Sequence, residues 1–291
     1  MDKTEEYIGM IEGRLYSIFP REDTPAGKVV RAAGYSLKAG GKRIRPILVL
    51  AFCEMCGGEP KKALDAACAV EYMHTYSLIH DDLPCMDNDD MRRGKPSCHA
   101  SFGEATALLA GDALAILPFE AISGSRELPP DAALKCIRKL SYNCGMEGMI
   151  GGQQIDTENV GKDLPAEIIT DMYIKKTAAL IQAACLCGVY CAQSPKEDEY
   201  AAAAEEYALN LGLAFQIIDD ILDVTSTDEV LGKHVGSDAQ LDKHTYVRAY
   251  GLDSAENAAG EYTEKALRSL DIFDNNGFVR DLTVKLLTRK K

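Results

Sequence analysis

Five aspartates fall within ten residues of the segment IHDDLPCMDNDDMRRG: Asp81, Asp82, Asp87, Asp89 and Asp90, with Arg92 and Arg93 close behind them. Carboxylates this close repel one another unless a cation sits among them. Oxygen ligands without a Cys or His cage favour a hard ion, and Mg²⁺ commonly binds through one or two carboxylates while substrate phosphate completes its shell. The Gly and distant Glu that would mark an EF-hand calcium loop are missing from the register. A second acidic group, Asp219, Asp220 and Asp223, stands in LNLGLAFQIIDDILDV. Its simplest reading is a solvated helix end, although acids near a helix C-terminus oppose the helix dipole and are usually avoided there.

Phosphate bridged by metal calls for accompanying cations, and small basic clusters occur on separate segments. They are Lys42, Arg43 and Arg45 in AGGKRIRP, Arg92 and Arg93, Lys175 and Lys176 in YIKKTAAL, and Lys233 in LGKHVGSD. Taken singly, each is ordinary surface charge. Beside two acid clusters they describe a site for two anionic substrates, one held through metals and one by direct contacts from Arg forks and Lys point charges.

Such groups must be positioned by helices. His74, Ser77 and Asp81 are spaced three and four apart, so a polar stripe climbs one helix to the first acids. In the second segment Leu211, Ala214, Ile218 and Ile221 make an apolar face, while Gly212, Gln216, Asp219 and Asp223 make a separate stripe on the same helix. Ala- and Leu-rich segments with this periodicity follow one another, and alternating Val, Ile and Thr runs are missing, which predicts an all-α fold. Breaks fall at Pro20 to Pro25, Gly57 to Pro60, Asp81 to Ser97, Leu128 to Pro130, Asn159 to Pro165, Ser194-Pro195 and Val224 to Lys243. They leave room for about ten helices in a single domain over residues 1–291, because no break reads as an interdomain linker and no fixed-period repeat is present.

The balance of 45 acidic against 32 basic residues, a formal charge of -13, argues against a general nucleic-acid binder and against attraction to anionic membranes. The N-terminus MDKTEEYIGM lacks the basic-then-apolar order of a secretory signal, so a cytoplasmic location is expected. Ala178 to Ala192 is interrupted by Gln182 and falls short of the roughly 18 residues that argue for a membrane span, so it reads as a buried core helix. Ten cysteines without an export signal read as free thiols, and the CxxC of Cys53 and Cys56, with no second pair at zinc spacing, reads as core packing.

At these residues the chain resembles the trans-isoprenyl diphosphate synthase (polyprenyl synthetase) family, above all the bacterial farnesyl and geranylgeranyl diphosphate synthases. The resemblance runs from about Gly34 to Tyr246 through GGKRIRP, DDLPCMD, RRG, KT, FQ and DDILD in order. It implies a helical bundle with a deep central cavity, usually in a homodimer. Asp81, Asp87 and Asp219 would hold three Mg²⁺ ions, with Asp82 and Asp223 in support. Arg92, Lys176 and Lys233 would clamp the allylic diphosphate with Thr177 and Gln216 nearby, and Lys42, Arg45, His74 and Arg93 would form the isopentenyl diphosphate site.

The reaction implied is attack of isopentenyl diphosphate on an allylic cation derived from dimethylallyl or geranyl diphosphate. The departing diphosphate would take the proton, since no dedicated base is obvious. An aromatic five residues before the first motif, here Tyr76, marks farnesyl-forming bacterial relatives, although an ideal wheel places the small Ser77 nearer the azimuth of Asp81. Farnesyl diphosphate is the expected product, with geranylgeranyl diphosphate or a non-catalytic partner subunit as alternatives. A class I terpene cyclase is the nearest enzymatic rival, but its second metal motif mixes Asn, Ser and Glu. Two departures from the family pattern, Val247 where Pro is common and Ala178 where Gly is frequent, bear on loop conformation and remove no charge.

Overall fold

Mean hydropathy and pattern divide the chain into helices buried on one face and helices buried all round. The computed structural model describes residues 2–162, 164–225 and 245–288. In chain order they form α1 (Lys3–Ser17), α2 (Gly27–Leu37), α3 (Ile44–Met55), α4 (Leu64–Asp81, entered through a 3₁₀ turn at Pro60–Ala63), α5 (Cys98–Phe102), α6 (Glu104–Ser123), α7 (Pro130–Cys144) and α8 (Met149–Glu158). There follow α9 (Ala166–Tyr173), a π-turn (Ile174–Ala178), α10 (Ala179–Ala192) and α11 (Glu197–Thr225), then α12 (Tyr246–Tyr250), α13 (Leu252–Ser269) and α14 (Gly277–Leu287). The architecture is all-α apart from a hairpin of β1 (Met91–Arg92) and β2 (Lys95–Pro96).

α10 lies at the centre, packed against α3, α7 and α11. Its sequence ALIQAACLCGVYCA has no polar face, so it is stable only with neighbours on every side. Ala, Cys and Gly keep its surface low enough for close crossings. A Cβ on Gly188 would stand 2.4 Å from the Val49 carbonyl oxygen and 2.8 Å from the Phe52 Cβ, so α3 and α10 meet backbone to side chain there. The ten cysteines are free thiols, all buried except Cys85. Cys53 and Cys56 belong to the core, and burial pushes the Cys53 thiol up to about 12.

The seven breaks read from the sequence coincide with connections wherever they fall on described residues, except that α11 extends through Thr225. The helices exceed the ten expected because glycines divide segments that read as continuous. Gly103 (φ 87°) separates α5 from α6, and Gly251 (φ 82°) separates α12 from α13. Ala178, expected to begin the core helix and to bear on a loop, instead closes the π-turn as a buried residue. The expected shortness of this apolar segment needs correction: Glu167–Ala192 and Glu104–Ser123 are both long and apolar enough to cross a membrane by length and composition. The first has 72% of its apolar window buried inside the protein, the second 33%, because α6 turns Leu108, Leu109 and Ile116 outward.

Replacing Gly188 by Val would force atoms into the α3–α10 crossing. Urea unfolding is expected to show a loss of about 1–3 kcal/mol, the range for overpacking a filled core.

Candidate active site

The first acid motif is shaped by backbone bonds. α4 ends at Asp81, and the chain then folds back so that the Asp87 amide donates to the Asp81 carbonyl at 2.9 Å and the Asn88 amide to the Leu83 carbonyl at 3.1 Å, with Asn88 at φ 55°. This brings Asp87 beside Asp81. The hairpin turns at Arg93 (φ 53°) and Gly94 (φ 74°), the pair of positive φ values that a tight two-residue turn needs. It sends its arginines to different partners. Arg92 donates its Nε to Asp82 at 2.9 Å, whereas Arg93 donates to the Gly40 carbonyl in the loop before α3. A side chain at Gly41 would strike the Arg93 guanidinium at 2.7 Å, so that glycine keeps the two segments in register.

Facing these acids, the π-turn presents Lys176 and Thr177. Its placement depends on two glycines. A Cβ on Gly152 of α8 would lie 2.3 Å from the Lys176 backbone nitrogen, and one on Gly212 of α11 would lie 2.4 Å from the Ala178 Cβ. Because both helices close in, Lys176 Nζ reaches Asp156 of α8 at 2.5 Å and Thr177 Oγ1 donates to Gln216 Oε1 of α11 at 3.0 Å. Burial works against the Lys176 charge, yet Asp156, Asp81 and Asp87 hold its pKa above the ordinary lysine value. Burial also pushes the Asp81 carboxyl up to about 6, opposed by Lys176 and Arg92 and reinforced by Asp87 and Asp156. Asp82 is raised by burial too, in spite of Arg92.

On α11 the solvated reading fails for two of the three acids: Asp220 is 1% exposed and Asp223 2%. Asp220 is a structural tie, accepting from the Tyr173 hydroxyl and from the Tyr246 amide at 2.8 Å, with Gln216 Nε2 at 3.4 Å. Asp219 is half-buried on the same turn. Asp81, Asp87 and Asp219 do not form a preassembled cage: among the described residues no three His, Cys, Asp or Glu side chains stand close enough to hold a metal by themselves. The donor set still fits a hard cation. It is all oxygen, and Asp87 adds to the cost of ionising Asp81, a repulsion that Mg²⁺ with a phosphate in its remaining coordination positions would relieve.

The basic clusters divide into structural and available charges. Arg43, in the left-handed region (φ 49°), is buried with Nη1 on Glu71 at 2.6 Å and Nη2 on the Leu37 carbonyl at 2.7 Å, so it fixes the loop. Arg45 points inward, and its Nε has no hydrogen-bond partner among the described residues. Burial lowers its pKa, with Glu71 acting against the shift. His74 is driven well below the usual histidine value by burial and then by Arg45, Arg93, Arg43 and Arg92, so it is neutral in a field of cations. Lys42 stands exposed on the loop, and Lys233 lies outside the described residues.

Arg45, His74, Asp81, Lys176 and Thr177 all line one cavity of about 420 Å³. Its apolar wall includes Leu108, Met149, Ile150 and Leu180, with Tyr76 and Ser77 both on the α4 side. Asp156 and Glu71 were missed by the sequence reading, and Asp220 was named in the second acid group without a role of its own. The signal available for Asp156 was GGQQID, a pair of glycines and then an acid on one helical face.

Comparison with known proteins agrees with this geometry. The family model described as polyprenyl synthetase matches residues 27–275. A geranylgeranyl diphosphate synthase from Cyanophora paradoxa is 47% identical over 243 residues, 83% of this chain and 80% of the relative. A farnesyl diphosphate synthase from Geobacillus stearothermophilus is 43% identical over 273 residues, 92% of this chain and 90% of the relative. The crystal structure of a geranyltransferase from Helicobacter pylori complexed with magnesium and isoprenyl diphosphate superposes with a TM-score of 0.84 at 33% identity, covering 98% of this chain and 94% of the other.

Asp81 generates a pH prediction. Its carboxyl binds its proton more tightly in the folded than in the unfolded chain, so its contribution to stability is fullest below about pH 4 and is lost as pH rises through about 6. Without metal, Asp81→Asn should therefore gain stability over the parent as pH rises from 4 to 7. The expected gain is on the order of 1–2 kcal/mol in thermal or urea unfolding; an unchanged difference across that range would remove the buried-charge account.

Proposed function

We propose a reaction from the premise that the chain belongs to the polyprenyl synthetase family, a family of prenyltransferases: it condenses isopentenyl diphosphate with dimethylallyl or geranyl diphosphate to give farnesyl diphosphate. One observation carries the reading. A single cavity has a cationic end at Arg45, whose Nε lacks a hydrogen-bond partner among the described residues, beside neutral His74, a Lys-and-acid end at Lys176 and Asp81, and an apolar remainder. Two diphosphates and one growing hydrocarbon tail match those three regions.

In this reading Arg45, His74, Arg93 and Lys42 bind isopentenyl diphosphate directly, and Lys176, Arg92 and Lys233 bind the allylic diphosphate. Thr177 and Gln216, bonded to each other, stand beside Lys176 in the allylic diphosphate site. Asp81, Asp87 and Asp219, supported by Asp82 and Asp223, would hold Mg²⁺, three ions in the full proposal. Bound there, Mg²⁺ supplies Lewis-acid neutralisation of the departing diphosphate. The allylic C–O bond breaks, the isopentenyl double bond attacks the allylic carbon, and the proton lost from the adduct passes to the diphosphate. Neutral His74 is hemmed in by arginines and is poorly placed to take that proton. The wall of Leu108, Met149, Ile150 and Leu180 offers no nucleophile to the cation.

The second anion end favours chain elongation over cyclisation, which needs one diphosphate. A non-catalytic subunit would be expected to have lost acids or clamp residues. Geranylgeranyl diphosphate remains the alternative product, favoured by the Cyanophora relative. The whole chain, 1–291, is read as one such domain, and the outward apolar face of α6 is where we place the second copy of a homodimer.

Incubation with isopentenyl diphosphate and either allylic starter with Mg²⁺, followed by identification of the dephosphorylated alcohols, tests the function; farnesol is expected, and no prenyl alcohol would overturn the reading. Arg45→Ala should raise the KM for isopentenyl diphosphate at least about tenfold, the cost of one lost charged hydrogen bond, with less effect on the allylic KM. Equal losses for both substrates would mean the two sites are wrongly divided. Tyr76→Ala should open the α4 wall and shift product towards geranylgeranyl diphosphate, and an unaltered profile in a folded, active variant would dismiss Tyr76 as the limit.

A further inference from the structure

The Tyr76 ring does not stand alone in the cavity. We infer that His80, seated against Gly111 of α6, is a specificity-determining residue that fixes the Tyr76 ring and so sets the length of chain the enzyme makes, an inference that rests on the elongation reaction proposed above. Both rings line the cavity, meeting edge to face with centroids 4.9 Å apart at 73°. His80 Nε2 lies 3.0 Å from the Leu108 carbonyl oxygen of α6, which accepts only, so Nε2 carries the proton. Asp112 stands at 3.8 Å from the same nitrogen. His80 is thus tied to α6 at one edge and braces Tyr76 at the other.

Gly111 makes this seat possible. A Cβ there would lie 2.1 Å from His80 Nε2 and 2.2 Å from Cδ2, well inside contact distance. Glycine in a helix interior costs about 1 kcal/mol relative to alanine, so its place in α6 is explained by the ring that fills the space. His80 directly precedes Asp81, and Tyr76 lies four residues earlier, about 6 Å deeper at the helical rise. The His80 ring therefore borders the stretch of cavity between the acids and Tyr76, where the second isoprene unit of a bound tail would run. With a methyl group at position 111 the ring loses its seat. Tyr76 occupies one side and α6 the other, so it is displaced into the cavity.

The test compares Gly111→Ala, His80→Ala and the double variant with the parent, measuring kcat/KM for dimethylallyl and geranyl diphosphate and the product alcohols, with circular dichroism on the same samples. In Gly111→Ala the geranyl value should fall about tenfold relative to the dimethylallyl value, as expected for crowding a hydrophobic pocket by roughly one carbon, and geranyl diphosphate should accumulate. In His80→Ala, Tyr76 loses its brace and the product should lengthen. The double variant should behave like His80→Ala, because the new methyl has no ring to displace; a general packing defect would instead add to the His80 effect. Starter preference and product profile unchanged in Gly111→Ala, or additive effects in the double variant, would overturn the inference while leaving the reaction intact. If Gly111→Ala fails to fold, His80→Ala alone decides: a parent-like product profile refutes the role. A parent enzyme that makes no prenyl product would instead refute the proposed function.

Discussion

An ammonium group drawn largely out of water is tolerable only where carboxylates compensate it, and the arrangement of the site follows from meeting that condition at Lys176. Asp156 on α8 bonds to the nitrogen, while Asp81 at the end of α4 and Asp87 in the loop folded back on α4 attract it through space, so three separate segments must converge around it. Convergence this close demands that helices touch without side chains between them. Gly152 admits α8 to the backbone of Lys176, Gly212 admits α11 to Ala178, and the extra residue of the π-turn points Lys176 and Thr177 to different neighbours. α10, apolar on every side, is the anvil behind them.

The opposite end of the cavity is built on the contrary principle. There Glu71 bonds to Arg43 and opposes the burial of Arg45 only electrostatically, the Nε of both arginines lacks a hydrogen-bond partner among the described residues, and His74 is kept neutral by burial and then by the surrounding guanidinium groups. Taking a guanidinium out of water with part of its hydrogen bonding unmet is unfavourable, and an anion bound in the cavity would meet it. The two ends therefore differ in what they require. The Lys176 end has more carboxylates than cations and so calls for a metal, whereas the Arg45 end would take phosphate directly. That asymmetry matches one substrate bound through metal and another bound without it.

What could be read from the sequence is what is local in it. Asp81, Asp82 and Asp87 are neighbours in the chain, and the stripe of Gln216, Asp219 and Asp223 follows from helical spacing alone. Asp156 escaped notice because its meaning depends on a lysine twenty positions away, brought near by glycines whose purpose shows only when the approaching helix is known. Asp220 was equally opaque. It sits beside Asp219 in the same run, yet it turns to Tyr173 and to the backbone of Tyr246 and holds the chain in place. The helix count fell short for a similar reason, since Gly103 and Gly251 break helices through positive φ, which composition does not reveal. Lys233 and the rest of 226–244 lie outside the described residues, so that part of the allylic clamp rests on sequence resemblance.

The net charge of -13 stands in apparent conflict with the proposed site for two diphosphates. The conflict dissolves with distance. Exposed charges separated by more than about 8 Å are screened at physiological ionic strength, whereas buried charges are screened far less. The acidic exterior thus acts weakly on a substrate that has entered the cavity, where Arg45 and Lys176 act at short range in a medium of low dielectric. The same exterior raises the local concentration of hard cations and discourages polyanions too large to enter, such as nucleic acids. In the proposed reaction, selectivity for small diphosphates with apolar tails follows from facing Arg45 and Lys176 into the cavity while most acids lie on the surface, Asp81 being turned to the cavity where a metal would sit and Glu71 and Asp220 being buried as structural partners.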